Sequence, residues 1–332
     1  MALLKLSTLA TKLMTMLPSE TSHSLALKSL KLIDDLGVNL VTKKPLNSYR
    51  CLGIVFKNRL GLAGGLDKNG DYIECLSSLG FSFLELGTAT PTPQLGNKKP
   101  RLYRDKSKEA LINNMGFNNK GIDYLIKNIS KTNKICPIAV SIGKNFDTPL
   151  NKAIDDYLFC FEKAYEYSDF ITVNISSPNT KNLRELGSKN YLPELIQSLK
   201  TKQSTLSRDH GYKPLIVKLS PDIKNKELDM FISTIIKEGI DGLIATNTSS
   251  FHNHFHKPSG ISGKPLFELS TKILKKVKGL VGQDFPIIAS GGVMDRKSYS
   301  KKIDSGADLV QVYTGLIYKG PQLIQDILTL KD

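Results

Sequence analysis

The sequence predicts an α/β protein, a (β/α)8 TIM barrel with a small helical extension at its N-terminus. From about residue 46, eight short apolar runs recur, at 60–63, 83–86, 138–142, 171–175, 215–219, 242–245, 287–289 and 309–313. Helix-length stretches, among them 154–167, 192–202, 226–238 and 271–277, lie between most of them. Near-continuous apolar strands alternating with helices indicate a parallel sheet covered on both faces. Eight such units in a chain of 332 residues favour closure into a barrel over an open, doubly wound sheet. Neither G-x-G-x-x-G nor G-x-x-x-x-G-K-[ST] occurs, so neither a dinucleotide fold nor a P-loop is supported.

The extension reads as two helices. Over residues 2–17, Leu3, Leu6, Leu9, Ala10, Leu13, Met14, Met16 and Leu17 share one broad apolar face. Lys5, Thr8, Lys12 and Thr15 occupy the other side. Pro18 breaks this helix, Ser19 is placed to cap a second one running to about Leu36, and Gly37 suits its C-terminal end. Two short helices cannot bury that much leucine between themselves, so they dock on a partner, on the main domain or on a bilayer surface. The expected division is therefore 1–45 for the helical region and 46–332 for the barrel.

Composition narrows the class. Hydrophobic residues make up 40% of the chain, enough for a sizeable core. No run reaches the roughly 18 apolar residues of a membrane span, and no secretory signal is evident. Four separated cysteines (Cys51, Cys75, Cys136, Cys160) without a C-x-x-C pair suit reduced thiols better than disulfides or zinc. The net charge of +15 comes from lysines scattered over the chain. Such scatter reads as a solvated surface; the clustered basic and aromatic residues of a nucleic-acid groove are missing.

In this fold the active site is built at the C-terminal strand ends. Those ends here carry the segment from Gly64 to Lys68, then Thr88, Ser141, Asn174, Lys218, Thr246–Asn247, Gly291–Gly292 and Tyr313–Thr314. Each alone could be a turn residue; eight in phase suggest a site. Lys218 interrupts an apolar strand, where an unpaired ammonium is costly, so it needs an anionic or electron-rich partner in the barrel mouth. Lys68 is a weaker signal, because Asp67 could pair with it. The glycines after the seventh and eighth strands fall where the fold usually holds a phosphate, as in FMN or a phosphosugar, although tight turns would look the same. Asn113, Asn174, Asn179 and Asn247 fall on strand-end loops, and their paired donors and acceptors suit an imide or urea edge. His252, His254 and His256 alternate along an extended stretch, but no acid or cysteine stands nearby, so no metal site is expected.

The motifs LAGGLDKNG (62–70), ELGTATP (85–91), NMGFNN (114–119), IGKN (142–145) and NISSPNT (174–180) resemble those of the dihydroorotate dehydrogenases. IATNT (244–248), SGKPL (262–266) and YKGP (318–321) continue the resemblance over essentially the whole chain. Ser177, where the cytosolic class carries Cys, and the helical N-terminus point to the quinone-dependent class. Its rivals are a cytosolic fumarate- or NAD-linked dihydroorotate dehydrogenase, another FMN barrel oxidoreductase, and a basic nucleic-acid-binding protein on a degenerate barrel.

The resemblance implies oxidation of dihydroorotate to orotate in pyrimidine biosynthesis, with FMN contacted by Gly64, Gly65, Leu66, Asp67, Lys68, Thr88, Ser141, Asn174, Lys218, Thr246, Gly263, Gly292, Tyr313 and Thr314. It implies dihydroorotate held by Lys68, Asn113, Asn114, Met115, Gly116, Phe117, Asn174, Asn179, Asn247 and Thr248. Ser177 is then the base, relaying its proton through water and Thr180 because a serine has no basic neighbour in sequence. His23, Arg104 and Tyr313 are expected near a membrane-quinone entrance. A monomer bound peripherally to the cytoplasmic side of the cell membrane follows. Two positions depart from the family pattern: Ser141 stands where Asn is usual, and Asn114 where Arg is usual.

Overall fold

The computed structural model describes residues 2–41, 47–133, 135–180, 182–252 and 258–329. Eight parallel strands close into a barrel in sequence order: β1 (Leu60–Leu62), β2 (Phe83–Ala89), β3 (Ile138–Ile142), β4 (Phe170–Asn174), β5 (Leu215–Leu219), β6 (Gly242–Ala245), β7 (Ile287–Ser290) and β8 (Leu309–Val312). All eight expected runs are strands, with ends shifted by up to three residues. Several helices outrun their expected bounds, such as Leu192–His210 and Phe267–Val281.

Inward-facing side chains alternate along the strands and build layers. The lower layer is apolar: Phe83, Phe170, Ile216, Ile244, Ile288 and Leu309 cluster beneath the hairpin Tyr49–Cys51/Ile54–Phe56. Phe83 meets Phe56 edge-on at 5.5 Å, and only a glycine fits at position 61, where a Cβ would lie 2.2 Å from the Phe83 ring. Two residues further along, the same faces turn polar, with Glu85, Thr172, Lys218 and Gln311 all buried. Hydrophobic packing thus closes the bottom of the barrel and leaves polar groups directed at its mouth.

A second sheet, which the sequence reading missed, flanks that mouth. It pairs Ser249–His252, Pro258–Gly263, Ala110–Asn113 and Leu102–Asp105, all antiparallel. Asn113 therefore ends a strand of this outer sheet, whereas the expectation was a loop at a barrel strand end.

The N-terminal helices form, with corrections. Helix α1 (Ala2–Met14) stops before a short turn, and α2 (Ser19–Asp35) has Pro18 at its N-cap with no side-chain cap, so Ser19 does not play that role. Gly37 ends α2 as expected: at φ +70° it donates to Asp34 while Val38 donates to Ile33, the paired bonds of a Schellman turn. Helix α1 packs on the helices Thr314–Lys319 and Pro321–Leu328. Its half-buried residues are Leu4, Ser7, Thr8, Thr11 and Met14. Its leucine stripe faces outward, with Leu3, Leu6, Leu9 and Leu13 each more than half exposed. Leu25 and Leu32 on α2, and Leu36 just beyond it, are also exposed. Among the described residues no helix is long and apolar enough to cross a membrane.

Candidate functional site

An open cleft lies at the C-terminal end of the barrel under the outer sheet. Its floor holds an ion pair: Lys218 Nζ lies 3.2 Å from Glu85 Oε1 and 3.3 Å from Oε2. Gln311 donates to Glu85 Oε2 at 2.7 Å, and both charged side chains are buried. Lys218 has thus found its anion in Glu85, a residue the sequence reading passed over. The signal was there, since Glu85 interrupts an apolar strand just as Lys218 does.

The wall beside β6, β7 and β8 is built from bare backbone. Gly291 and Gly292 have φ of +108° and +77°, and Gly263 has +92°. A Cβ at Gly292 would lie 2.4 Å from Phe267 Cα, and at Gly263 it would lie 2.2 Å from the Glu109 carbonyl oxygen. At Gly315 it would lie 2.3 Å from the Val293 carbonyl oxygen. Side chains are excluded there, which leaves main chain and the Ser262–Thr314 hydroxyl pair (2.8 Å) to meet a ligand. The first turn of Thr314–Lys319 adds amides that have no partner within the helix.

Opposite this wall the asparagines converge. Asn247 Nδ2 donates to Asn174 Oδ1 at 3.2 Å and to Ser176 Oγ at 2.9 Å. Asn179 Nδ2 donates to Asn113 Oδ1 at 2.7 Å, and Asn174 Nδ2 donates to Thr88 Oγ1 at 2.8 Å. Ser177 lines the cleft between them, its hydroxyl accepting the Asn179 amide at 3.3 Å. Lys68 enters from the β1 loop, donating to the Gly65 carbonyl at 2.9 Å. Burial, followed by the nearby Arg101 guanidinium, pulls its ammonium down to about 8.

Most of the expected residues meet here: Gly64, Gly65, Lys68, Thr88, Asn113, Met115, Gly116, Phe117, Asn174, Ser177, Asn179, Lys218, Thr246, Asn247, Thr248, Gly263, Gly292, Tyr313 and Thr314 line the one cleft. Five lie elsewhere. Asp67 spends its carboxylate on the amides of Asn69, Asp71 and Tyr72, holding the β1 loop in shape. Leu66 faces the α1–α2 side. Ser141 turns to the Thr88 hydroxyl at 2.9 Å. Asn114 accepts from Asn97 at 2.5 Å, and Thr180 is buried; both line a neighbouring cavity that Ser177 also borders. The Thr180 hydroxyl has no hydrogen-bond partner among the described residues. Of the alternating histidines, His254 and His256 lie outside the described residues.

A third cavity, largely apolar, runs between α1, α2 and the barrel. Leu27, Leu30, Leu76 and Leu79 contribute to its wall, and it shares Leu102 and Leu111 with the cleft. His23 and Arg104 lie along it. Arg104 donates to the carbonyls of Thr15 (2.7 Å) and Leu17 (2.9 Å), tying the end of α1 to the outer sheet. Burial and then the Lys68 charge hold His23 down to about 4, so its ring is neutral at pH 7. Tyr313 faces both the cleft and the space beside His23, and burial pushes its phenol up to about 12.

Fold and site together define a (β/α)8-barrel enzyme with its cleft at the carboxyl strand ends and an apolar side cavity beneath two N-terminal helices. Residues 47–330 match the family described as dihydroorotate dehydrogenase, and the chain belongs to that family. It is similar to the dihydroorotate dehydrogenase (quinone) of Nitrosomonas eutropha, 46% identical over 97% of this chain and 96% of the relative. The enzyme of the same name from Vibrio parahaemolyticus is 44% identical over 94% of this chain and 96% of its own length. Among solved structures, Eimeria tenella DHODH in complex with ferulenol superimposes with a TM-score of 0.83 at 30% identity, covering 93% of this chain and 89% of that one.

Proposed function

We propose that this enzyme oxidises (S)-dihydroorotate to orotate, a step of de novo pyrimidine biosynthesis, using FMN and a membrane quinone. The residues present fit that cofactor. The glycine wall suits a phosphate, the amides of Asn174 and Asn247 suit a polar ring edge, and the buried Gln311 Oε1 has no partner of its own among the described residues. Held against the glycine wall and these amides, FMN would supply a ring able to accept hydride from C6 of the substrate and to be reoxidised by a quinone.

The chain's own residues do the rest. Lys68 holds the substrate carboxylate, and Asn113, Asn174, Asn179, Asn247 and Thr248 offer donors and acceptors to the amide edges of the ring. Ser177 takes the C5 proton; a serine is a weak base, so the proton moves on through water toward the free hydroxyl of Thr180. Lys218, neutralised in part by Glu85, sets the charge of the cleft floor where electron density accumulates.

The observation that carries the quinone reading is the apolar cavity that adjoins the cleft across Leu102 and Leu111. It offers a long-chain acceptor an apolar seat beside the cleft that a soluble acceptor does not need. Residues 1–45 then form the quinone-access region, with His23, Arg104 and Tyr313 toward its inner end, and 46–332 the FMN barrel. The outward leucines, with Lys5 and Lys12 beside them, suit a helix lying in the interface at the cytoplasmic face of the membrane. Replacing Leu6, Leu9 and Leu13 by Ser tests this. Vesicle binding and long-chain quinone turnover should fall at least roughly tenfold, while dihydroorotate-driven reduction of a soluble dye persists. Unchanged quinone turnover, or comparable turnover of the unaltered enzyme with fumarate or NAD, contradicts the reading.

A further inference from the structure

Lys302, on the helix Arg296–Asp304 that follows β7, is fully enclosed at 0% exposure. Among the described residues no carboxylate reaches it at ion-pair distance. Its ammonium donates to the Ser270 hydroxyl at 2.6 Å and lies 5.1 Å from the centre of the Phe267 ring. An enclosed ammonium without an anion is costly, so the position calls for negative charge nearby. The connection forward is short. Ser270 Oγ contacts the Gly291 carbonyl at 3.0 Å and that of Phe267 at 3.1 Å. The turn carrying both residues presses on the glycine loop from behind, since a Cβ at Gly291 would lie 3.0 Å from Ser270. The front of that loop, Gly291 and Gly292, is the cleft wall. Lys302 therefore stands one hydroxyl behind the surface that suits a phosphate.

We propose that Lys302 is a positioning residue for the cofactor phosphate, its buried charge acting through Ser270 and Gly291 to make this wall prefer a phosphorylated flavin. The inference rests on the FMN reading above. Burial, only partly offset by Glu268, pulls the Lys302 ammonium down to about 7, and a phosphate across the loop acts in the opposite direction, favouring its charge. Glu268, which also favours the charged form, is too far to form an ion pair.

The test uses purified holoenzyme, incubated with rising riboflavin while displaced FMN is measured by chromatography. Riboflavin lacks only the phosphate, so the ratio of the two affinities isolates the wall's preference from general loosening of the fold. Lys302→Met should lower the preference for FMN over riboflavin at least about tenfold, close to 1.4 kcal/mol, and Ser270→Ala should lower it in the same direction. Should the Met variant fail to fold, Ser270→Ala carries the test alone. An unchanged preference, or equal weakening of both flavins, overturns the role of Lys302. Unaltered enzyme that carries no flavin removes the FMN reading itself, an outcome distinct from either.

Discussion

Inside the barrel the Lys218 ammonium and the Glu85 carboxylate form a buried pair, with nitrogen–oxygen distances of 3.2 and 3.3 Å. They come from β2 and β5, which do not adjoin in the barrel. Removing one partner strands the other charge, which typically costs about 3–5 kcal/mol. Glu85→Ala should therefore lower unfolding stability by about that much in urea titrations. The double variant Glu85→Leu/Lys218→Met should recover most of the loss. A Glu85→Ala protein within about 1 kcal/mol of the original would mean that the pair is solvated or rearranged.

In the proposed function Ser177 is the base; it lines the cleft and also borders the cavity holding Thr180. Ser177→Ala should leave flavin content and orotate binding intact but slow single-turnover flavin reduction at least ~100-fold, the low end for general-base catalysis. Ser177→Cys should keep more activity, since a thiol still accepts the proton. Near-normal reduction in the Ala variant would place the base elsewhere.

Lys68 gives a pH dependence with a definite sign. Burial and Arg101 lower its pKa from the ordinary 10.5 to about 8, so the folded protein prefers the neutral amine more than the unfolded chain does. Its contribution to stability therefore rises with pH between about 8 and 10.5. Binding of a carboxylate runs the other way, since it needs the ammonium. Orotate affinity, read from the flavin spectrum, should be flat below pH 8 and weaken toward tenfold per unit above it. Lys68→Arg should move that limb beyond the accessible range. Affinity constant up to pH 9.5 in the unaltered enzyme would take Lys68 out of carboxylate binding.

The barrel was legible because each strand is buried on both faces and reads as a near-continuous apolar run. The strand ends were legible for the complementary reason, that polar and glycine residues recur there in phase. The outer sheet was not: PSGISG (258–263) shows no alternation, and its partner Ala110–Asn113 lies about 150 residues earlier in the chain. Glu85 carried the same signal as Lys218, a charge interrupting an apolar run, whereas Lys302 was hidden by its place among charged residues on a polar helix. For α1 the periodicity gave the faces but not which one docks. The helix seats Ser7 and Thr11 on the body and turns its leucines out. Leu66 and Asp67 were read as part of one contiguous motif, but successive residues of a tight loop point in different directions, and their side chains turn away from the cleft.

The most direct test of the central claim is the visible spectrum of purified enzyme under anaerobic titration with dihydroorotate. A yellow protein carrying one FMN per chain should bleach on addition of about one equivalent of substrate and regain its colour on addition of a long-chain quinone. Protein that cannot be loaded with FMN, or whose bound FMN stays oxidised in excess dihydroorotate, would contradict it.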